Sequence, residues 1–409
     1  MHVAIIGGGA IGLCTAFECA QAGLDVTVVD DGFSPKGTSY GNAGMIVPSH
    51  FTPLATKEML KLGLSMLRQA DGPLGFSWRP NLELISWMSR FVRAASSAPA
   101  PEVMRAICRL NIASKDRYVE LARQLNCEIH EMGLLMLCKT EAGIDDEADL
   151  AAQAAELGLQ ANFLGKAETI ALNPGIELNV AGALHFVDDA WINAGAFMDA
   201  LRGRLETDGV SMVNASVTRL CNEGNSVKLA ETTQGHINAD AYVVAGGAGT
   251  GALLGRLGWT TPIVAGKGFG FTVPSPNVNL GVCSILSEAR VALSPINGNL
   301  RITGNMIVGD RSMSVDERRL SRMMRSVNDY LPTLELPPRD QLEVWVGHRP
   351  LSPDGIPKIG PVKGFDNLYT ATGHGMMGMS LAPATGLAIS QMLTSESAVL
   401  DYPVFAPYP

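Results

Sequence analysis

The opening stretch HVAIIGGGAIGLCTAFECAQAGLDVTVVDD, residues 2–31, limits what the chain can fold into more than any other part of it. His2–Ile6 reads as a short buried parallel strand. Gly7, Gly9 and Gly12 follow as G-x-G-x-x-G. Residues 11–22 then have helical spacing, with Ile11, Leu13, Ala16, Phe17 and Ala20 at apolar positions and Gly23 at the left-handed position past the end. Val26–Val29 is a second strand, ending at Asp30. Gly7 serves a tight turn, Gly9 leaves room for a pyrophosphate, and Gly12 lets helix and strand pack closely. The helix N-terminus offers free N–H groups and about half a positive charge to phosphate. Asp30 is placed to accept hydrogen bonds from an adenosine ribose, and its charge disfavours a 2′-phosphate. Strand, glycine turn, helix, strand and terminal acid, in that order, indicate dinucleotide binding without separating NAD from FAD.

The rest of the chain bounds the setting. With 409 residues, 46% of them hydrophobic, it can bury a large core and divide into two domains. A formal net charge of −9 and the lack of a basic run argue against a nucleic-acid partner. The seven cysteines form no CxxC and no metal-ligand spacing, so no metal site is expected and the thiols read as core filler in a reducing compartment. The N-terminus lacks the basic region of a signal peptide, and no uninterrupted apolar run reaches the roughly 18 residues a spanning helix needs. The expected location is cytoplasmic. Peripheral contact with the inner membrane through residues 50–100 stays open, as does the oligomeric state.

Further along, residues 57–69, 81–95 and 103–125 have helical spacing, and DGPLGFSWRP separates the first two as a turn. Strands are expected over 134–140, 182–193, 210–214, 216–221, 227–232 and 241–245, and helices over 145–157, 194–208 and 314–331. Gly246, Gly247 and Gly249 make a second glycine turn. Residues 262–308 read as antiparallel. Near the end, Leu368–Ala371 is a strand, Gly373–Gly378 a glycine turn, and 379–393 a helix. The fold class is α/β, α+β overall, with a Rossmann-like domain built from both chain ends and an inserted antiparallel-sheet substrate domain. The expected division is 1–125, 190–250 and 340–409 for the first, and 126–189 and 251–339 for the second.

GGGAIGLCTAFECAQAG, TSYGNAGMIVP, RPLSPDGIPKIG and TGHGMMGMSLAPATG together resemble the D-amino-acid oxidase superfamily, and within it the bacterial FAD-dependent D-amino-acid dehydrogenases. The resemblance covers both termini well and the middle in outline. It implies FAD. Gly7, Gly9, Ala10, Ile11, Gly12, Asp30 and Asp31 would hold the ADP half, and Thr38, Ser39, Asn42, Gly44 and Met45 would run beside the flavin half. Val217 would lie near the adenine, Gly246 and Gly247 near the pyrophosphate. Gly373, His374, Gly375, Met376, Met377 and Gly378 would lie against the isoalloxazine. There a helix N-terminus would stabilise the charge that a reduced flavin gathers. His50, in YGNAGMIVPSHFTPLA, is similar to enzymes acting on cyclic D-imino acids such as cis-4-hydroxy-D-proline.

The implied activity is oxidation of a D-amino or cyclic D-imino acid by hydride transfer to flavin N5, giving an imine and then a 2-oxo acid. A quinone, a dye or oxygen would take the electrons. Orientation calls for a cation that grips a carboxylate, and Arg fits by its planar fork. The resemblance makes Arg349 in HRPLSPDG the best candidate for that carboxylate-binding arginine, with Arg290 a further candidate for the pocket. His50 and His374 are the expected catalytic partners, since a histidine near the amine can accept its proton. His348 should point away from Arg349 by strand alternation. The alternatives are an oxygen-using glycine or N-methylglycine oxidase, an NAD-dependent hydroxy-acid dehydrogenase, and a non-catalytic flavoprotein subunit.

Overall fold

The computed structural model describes residues 1–33, 37–66, 71–77, 81–395 and 402–407. Residues 67–69 of the helix expected over 57–69 lie outside these, as do residues 78–80 of the turn DGPLGFSWRP.

A six-stranded sheet carries the dinucleotide motif, in the order Ser211–Asn214, Asp25–Asp30, His2–Ile6, Ala241–Val244, Leu368–Thr372, Lys358–Pro361. The first five are parallel and the last is antiparallel. His2–Ile6, the first strand in sequence, sits in the middle, paired on one side with the strand that follows it and on the other with one more than 200 residues away. The chain direction across the sheet reverses there, and a crevice opens at the carboxyl ends of the strands. Three glycine turns leave that edge: Gly7–Gly9, Gly246–Gly249 and Gly373–Gly378.

The helices Ala10–Gln21 and Ala382–Thr394 lie against each other and bring the two chain ends together. A Cβ on Gly386 would come within 2.6 Å of the Cys14 main chain, so this crossing depends on glycine. Ser390 Oγ donates to the Glu18 carbonyl at 3.1 Å, one step further along. Leu13 and Phe17 are fully buried on the first helix, each contributing about 1.5–3 kcal/mol.

The second sheet has nine strands, and Val264–Val273, Asn299–Val308 and Val291–Ile296 form its antiparallel centre. Two of its strands come from segments expected in the nucleotide-binding part. Leu74–Phe76, within the expected turn, runs parallel to Met306–Val308, where Arg319 reaches over to the carbonyls of Gly72 and Leu74. Trp345–Leu351 pairs with Val264–Val273. Pro350 is tolerated because this is an edge strand. The helix expected over 145–157 is two, Glu141–Asp146 and Ala148–Glu156. They break at Glu147, whose buried carboxylate accepts from the Ser287 hydroxyl.

Helix Leu82–Ala95 packs Trp87 and Phe91 inward, with Trp87 Nε1 donating to the Leu351 carbonyl at 2.9 Å. Leu82, Ile85 and Val92 are exposed on its other side. Among the described residues, no helix is long and apolar enough to cross a membrane.

Candidate active site

The first glycine turn has the shape a pyrophosphate needs. Gly7 adopts φ +117°, and a side chain there would strike the Ala245 carbonyl. Gly12 packs against the Gly7 carbonyl with no room for a methyl group. Gly9 occupies the N-cap of the following helix, so no side chain closes its first turn, and the Ala10 N–H donates to Ser39 Oγ at 3.0 Å. Ile11 follows within that turn. The Asp30 carboxylate accepts from the Gly8 N–H at 2.7 Å and the Phe33 N–H at 3.2 Å, which fixes it at the strand end. Asp31 instead accepts from Ser216 Oγ at 3.1 Å. Val217 is half-buried in the small antiparallel sheet, paired with Thr232.

The other two turns complete a cradle. Gly247 has φ +55° and accepts from Thr372 Oγ1 at 3.1 Å; Gly246 precedes it. Gly373 and Gly375 have φ +76° and +57° and open the turn containing Met376, Met377 and Gly378. Two buried polar atoms beside these turns have no partner among the described residues, Thr250 Oγ1 and His374 Nδ1. Unclaimed polar atoms and glycine turns along one sheet edge fit a bound dinucleotide, whose polar groups would satisfy them.

Asn42 Oδ1 accepts from the Gly44 N–H at 2.8 Å, and Gly44, at φ +74°, lies against the Ile192 carbonyl. Met45 pairs with Trp191. The segment thereby crosses from the cradle to a cavity of about 270 Å³ between the two sheets. Thr38, Asn42 and Met45 line it from one side, Met376 and Met377 from another, and His50, Arg290 and Arg349 supply its charged or titratable side chains.

Arg349 extends from the edge strand into this cavity. Its guanidinium donates to the Asn305 carbonyl at 2.8 Å. Among the described residues it has no carboxylate partner, and no Asp or Glu lines the cavity. Burial pulls its pKa down to about 10, so it remains charged at neutral pH. His348 faces the other way, its Nε2 3.3 Å from the Ser312 carbonyl, as alternation requires. Arg290, held at φ +56°, also reaches the cavity. Arg301 does not; its Nε donates to Thr272 Oγ1 at 2.7 Å beside a neighbouring cleft.

His50 lines the same cavity. Burial, with the nearby Arg290 charge adding to it, pushes its pKa down to about 4, so the ring is neutral at neutral pH. His374 is a correction. Its ring turns into the core, Nε2 lies 3.1 Å from Thr385 Oγ1, and it is absent from the cavity lining. Burial pushes its pKa to about 3. It joins the site through its turn and its unpartnered Nδ1, not as an acid–base group facing substrate.

Two neighbours of His50 were not singled out from sequence. Ser49 Oγ lies 3.0 Å from His50 Nδ1 and donates to Asp189 Oδ2 at 2.5 Å. The Ser49 N–H donates to Asp189 Oδ1 at 3.0 Å. Asp189 is fully buried, and burial pushes its pKa up to about 7. The available signal was an acid placed between the apolar strands Gly182–Phe186 and Ala190–Ile192.

The profile of the family described as FAD dependent oxidoreductase matches residues 2–392, and the chain belongs to that family. A D-amino acid dehydrogenase of Bradyrhizobium diazoefficiens is 29% identical, over 98% of this chain and 97% of its own. One from Vibrio vulnificus is 28% identical, over 97% of each. Among solved structures, glycine oxidase from Geobacillus kaustophilus superimposes with a TM-score of 0.79 at 22% identity, covering 99% of this chain and 98% of that one. L-proline dehydrogenase from P. horikoshii gives 0.74 at 18%, covering 100% and 96%. The cofactor is therefore FAD rather than NAD.

Proposed function

We propose that this FAD-dependent oxidoreductase dehydrogenates a small D-amino acid or cyclic D-imino acid at its Cα–N bond. The observation that carries the reading is Arg349: a charged guanidinium in a cavity bearing no carboxylate, bonded to one main-chain carbonyl. A cation held in that way is matched by an anionic ligand, and its planar fork suits a carboxylate. The net worth of such a charge-assisted bond is about 1.5–3 kcal/mol.

Arg349 binds the substrate carboxylate, and Arg290 adds positive charge to the same cavity. His50, neutral above pH 4, accepts a hydrogen bond from the N–H of the neutral substrate amine at its free ring nitrogen, which positions the substrate while its α-carbon gives up hydride. Ile285, Ala292 and Met306 surround the substrate with apolar surface, which suits a saturated ring and keeps water away. FAD, when bound, supplies the two-electron acceptor. The expected product is an imine, hydrolysed in water to a 2-oxo acid. The electrons then pass to a quinone, a dye or oxygen.

Anaerobic addition of D-alanine, D-proline, cis-4-hydroxy-D-proline, glycine and sarcosine, each to a separate sample, tests this. Bleaching of the flavin band by a D-amino or D-imino acid is the expected result. Bleaching by glycine or sarcosine alone, with peroxide formed in air, would mark an amine oxidase instead. No bleaching by any of them would leave a non-catalytic flavoprotein.

A further inference from the structure

We infer that Asp189, acting through the Ser49 hydroxyl, selects the tautomer of His50 and so decides whether the cavity receives a hydrogen-bond acceptor or a donor. The inference rests on the reading of this cavity as the substrate site.

The three groups form one chain from core to cavity. Asp189 Oδ2 and Ser49 Oγ are 2.5 Å apart, and Ser49 Oγ and His50 Nδ1 are 3.0 Å apart. The His50 ring lines the cavity. With Nδ1 engaged by Ser49, Nε2 is the nitrogen left for a ligand, and it has no partner among the described residues. A hydroxyl has one proton to give. When Asp189 is ionised, Ser49 donates to it, and Ser49 Oγ can only accept from His50. The imidazole then carries its proton on Nδ1, and Nε2 presents a lone pair. When Asp189 is protonated it donates to Ser49, Ser49 turns its own proton to Nδ1, and the imidazole proton moves to Nε2. The cavity then receives a donor.

The surroundings bear on where this change falls. Around Asp189 lie Lys115, which favours its charge, and Asp188, which disfavours it. The thiols of Cys108 and Cys283 feel the Asp189 charge in turn. The charged neighbour of His50 is Arg290, which opposes an imidazolium and keeps the ring neutral while its tautomer changes. Asp189 and Ser49 are positioning residues, since neither lines the cavity. An acceptor at Nε2 is what an amino or imino N–H requires.

The test uses the FAD-loaded protein with 15N-labelled histidine, and two planar probes that differ at one atom. Pyrrole-2-carboxylate offers an N–H at the ring position where 2-furoate offers an oxygen acceptor. At pH 8.5 the native protein should show an unprotonated Nε2 and bind pyrrole-2-carboxylate about tenfold or more tightly than 2-furoate, the value of one hydrogen bond of about 1.4 kcal/mol. Asp189→Asn keeps the shape but gives Ser49 a permanent donor. It should move the proton to Nε2 and reverse the preference. Ser49→Ala, which breaks the chain and leaves Asp189 in place, should give a mixture of tautomers and no preference. Unchanged His50 spectra and an unchanged ratio in both variants would overturn the inference, even if the protein oxidises D-proline. A tautomer change without turnover of any amino acid would uphold the relay and sink the substrate assignment instead.

Discussion

The Arg349 guanidinium fills the space that a side chain on Gly268 would occupy. A Cβ there would overlap Nη1 and come within 2.7 Å of Cζ, across paired strands of the larger sheet. Gly268 is an interior strand residue with no turn to explain it. What the missing side chain supplies is room for a charged group to lie flat against the sheet and reach the cavity.

Gly268→Ala should therefore act on binding before it acts on folding. The guanidinium must shift, and the strand gains β-propensity from the added methyl. Losing the aligned charge-assisted bond costs about 1.5–3 kcal/mol, or roughly 10- to 150-fold in KM. Steady-state kinetics on the best substrate of the panel, with a melting curve alongside, check this. An unchanged KM would show that the alignment is unimportant.

Arg349→Met should divide binding from stability. The native protein holds a charged group against the desolvation that pulls its pKa to about 10. A methionine of similar length removes that burden, and the Asn305 carbonyl is left facing the cavity. The expected result is FAD retained, melting unchanged or raised by the equivalent of about 1–2 kcal/mol, and carboxylate binding lost. A large fall in stability would mean that the arginine is structural.

How much of this could be read from the chain is best judged residue by residue. Gly7, Gly12 and Asp30 were legible because their neighbours in sequence fix the geometry: strand, turn and helix are local, and the sheet only confirms them. Arg349 was a candidate through its motif, but what lets it lie against the sheet, the missing side chain of Gly268 some 80 residues earlier, was not visible there. His374 misled because a histidine inside a glycine turn has the same local pattern whether its ring turns outward or inward. Thr385, one helical stretch later, decides it. Asp189 was invisible for the same kind of reason. Its partner Ser49 is about 140 positions away, and burial of an acid is a property of tertiary packing. The strand through His348 and Arg349 was legible by its alternation, but its pairing with Val264–Val273 in the larger sheet was not, because the partner lies some 80 residues earlier.

Asp189→Asn should raise stability in a defined pH window. The buried acid has its folded pKa lifted to about 7 from an ordinary value of 3.8. A group raised in this way contributes its stability below the unfolded pKa and loses it as pH climbs through the folded one. Native and variant proteins should therefore melt alike near pH 4, diverge between pH 4 and 7, and keep a constant gap above. The gap is up to about 4 kcal/mol in favour of asparagine, less the Ser49 hydrogen bonds it weakens. Denaturant curves across pH 4–9 measure it. A gap independent of pH would show that the acid is ionised throughout.

Gly386→Ala asks whether the junction of the two chain ends holds the cofactor. By propensity alone the change should help, since alanine is favoured over glycine in a helix by about 1 kcal/mol. Packing opposes it. The new methyl would stand 2.6 Å from the Cys14 carbonyl carbon and 2.7 Å from the Thr15 nitrogen, both main-chain atoms that no side-chain rotation can clear. The helices must separate, at a cost of about 1–3 kcal/mol for overpacking a close contact. The helix carrying Cys14 is also the one whose first turn follows Gly9, so its displacement reaches the pyrophosphate turn. The expected outcome is a lower melting temperature together with weaker FAD retention, read as the ratio of flavin to protein absorbance after gel filtration. Lowered stability with full flavin content would mean that the two ends meet for folding alone, and that the cradle is set by the sheet.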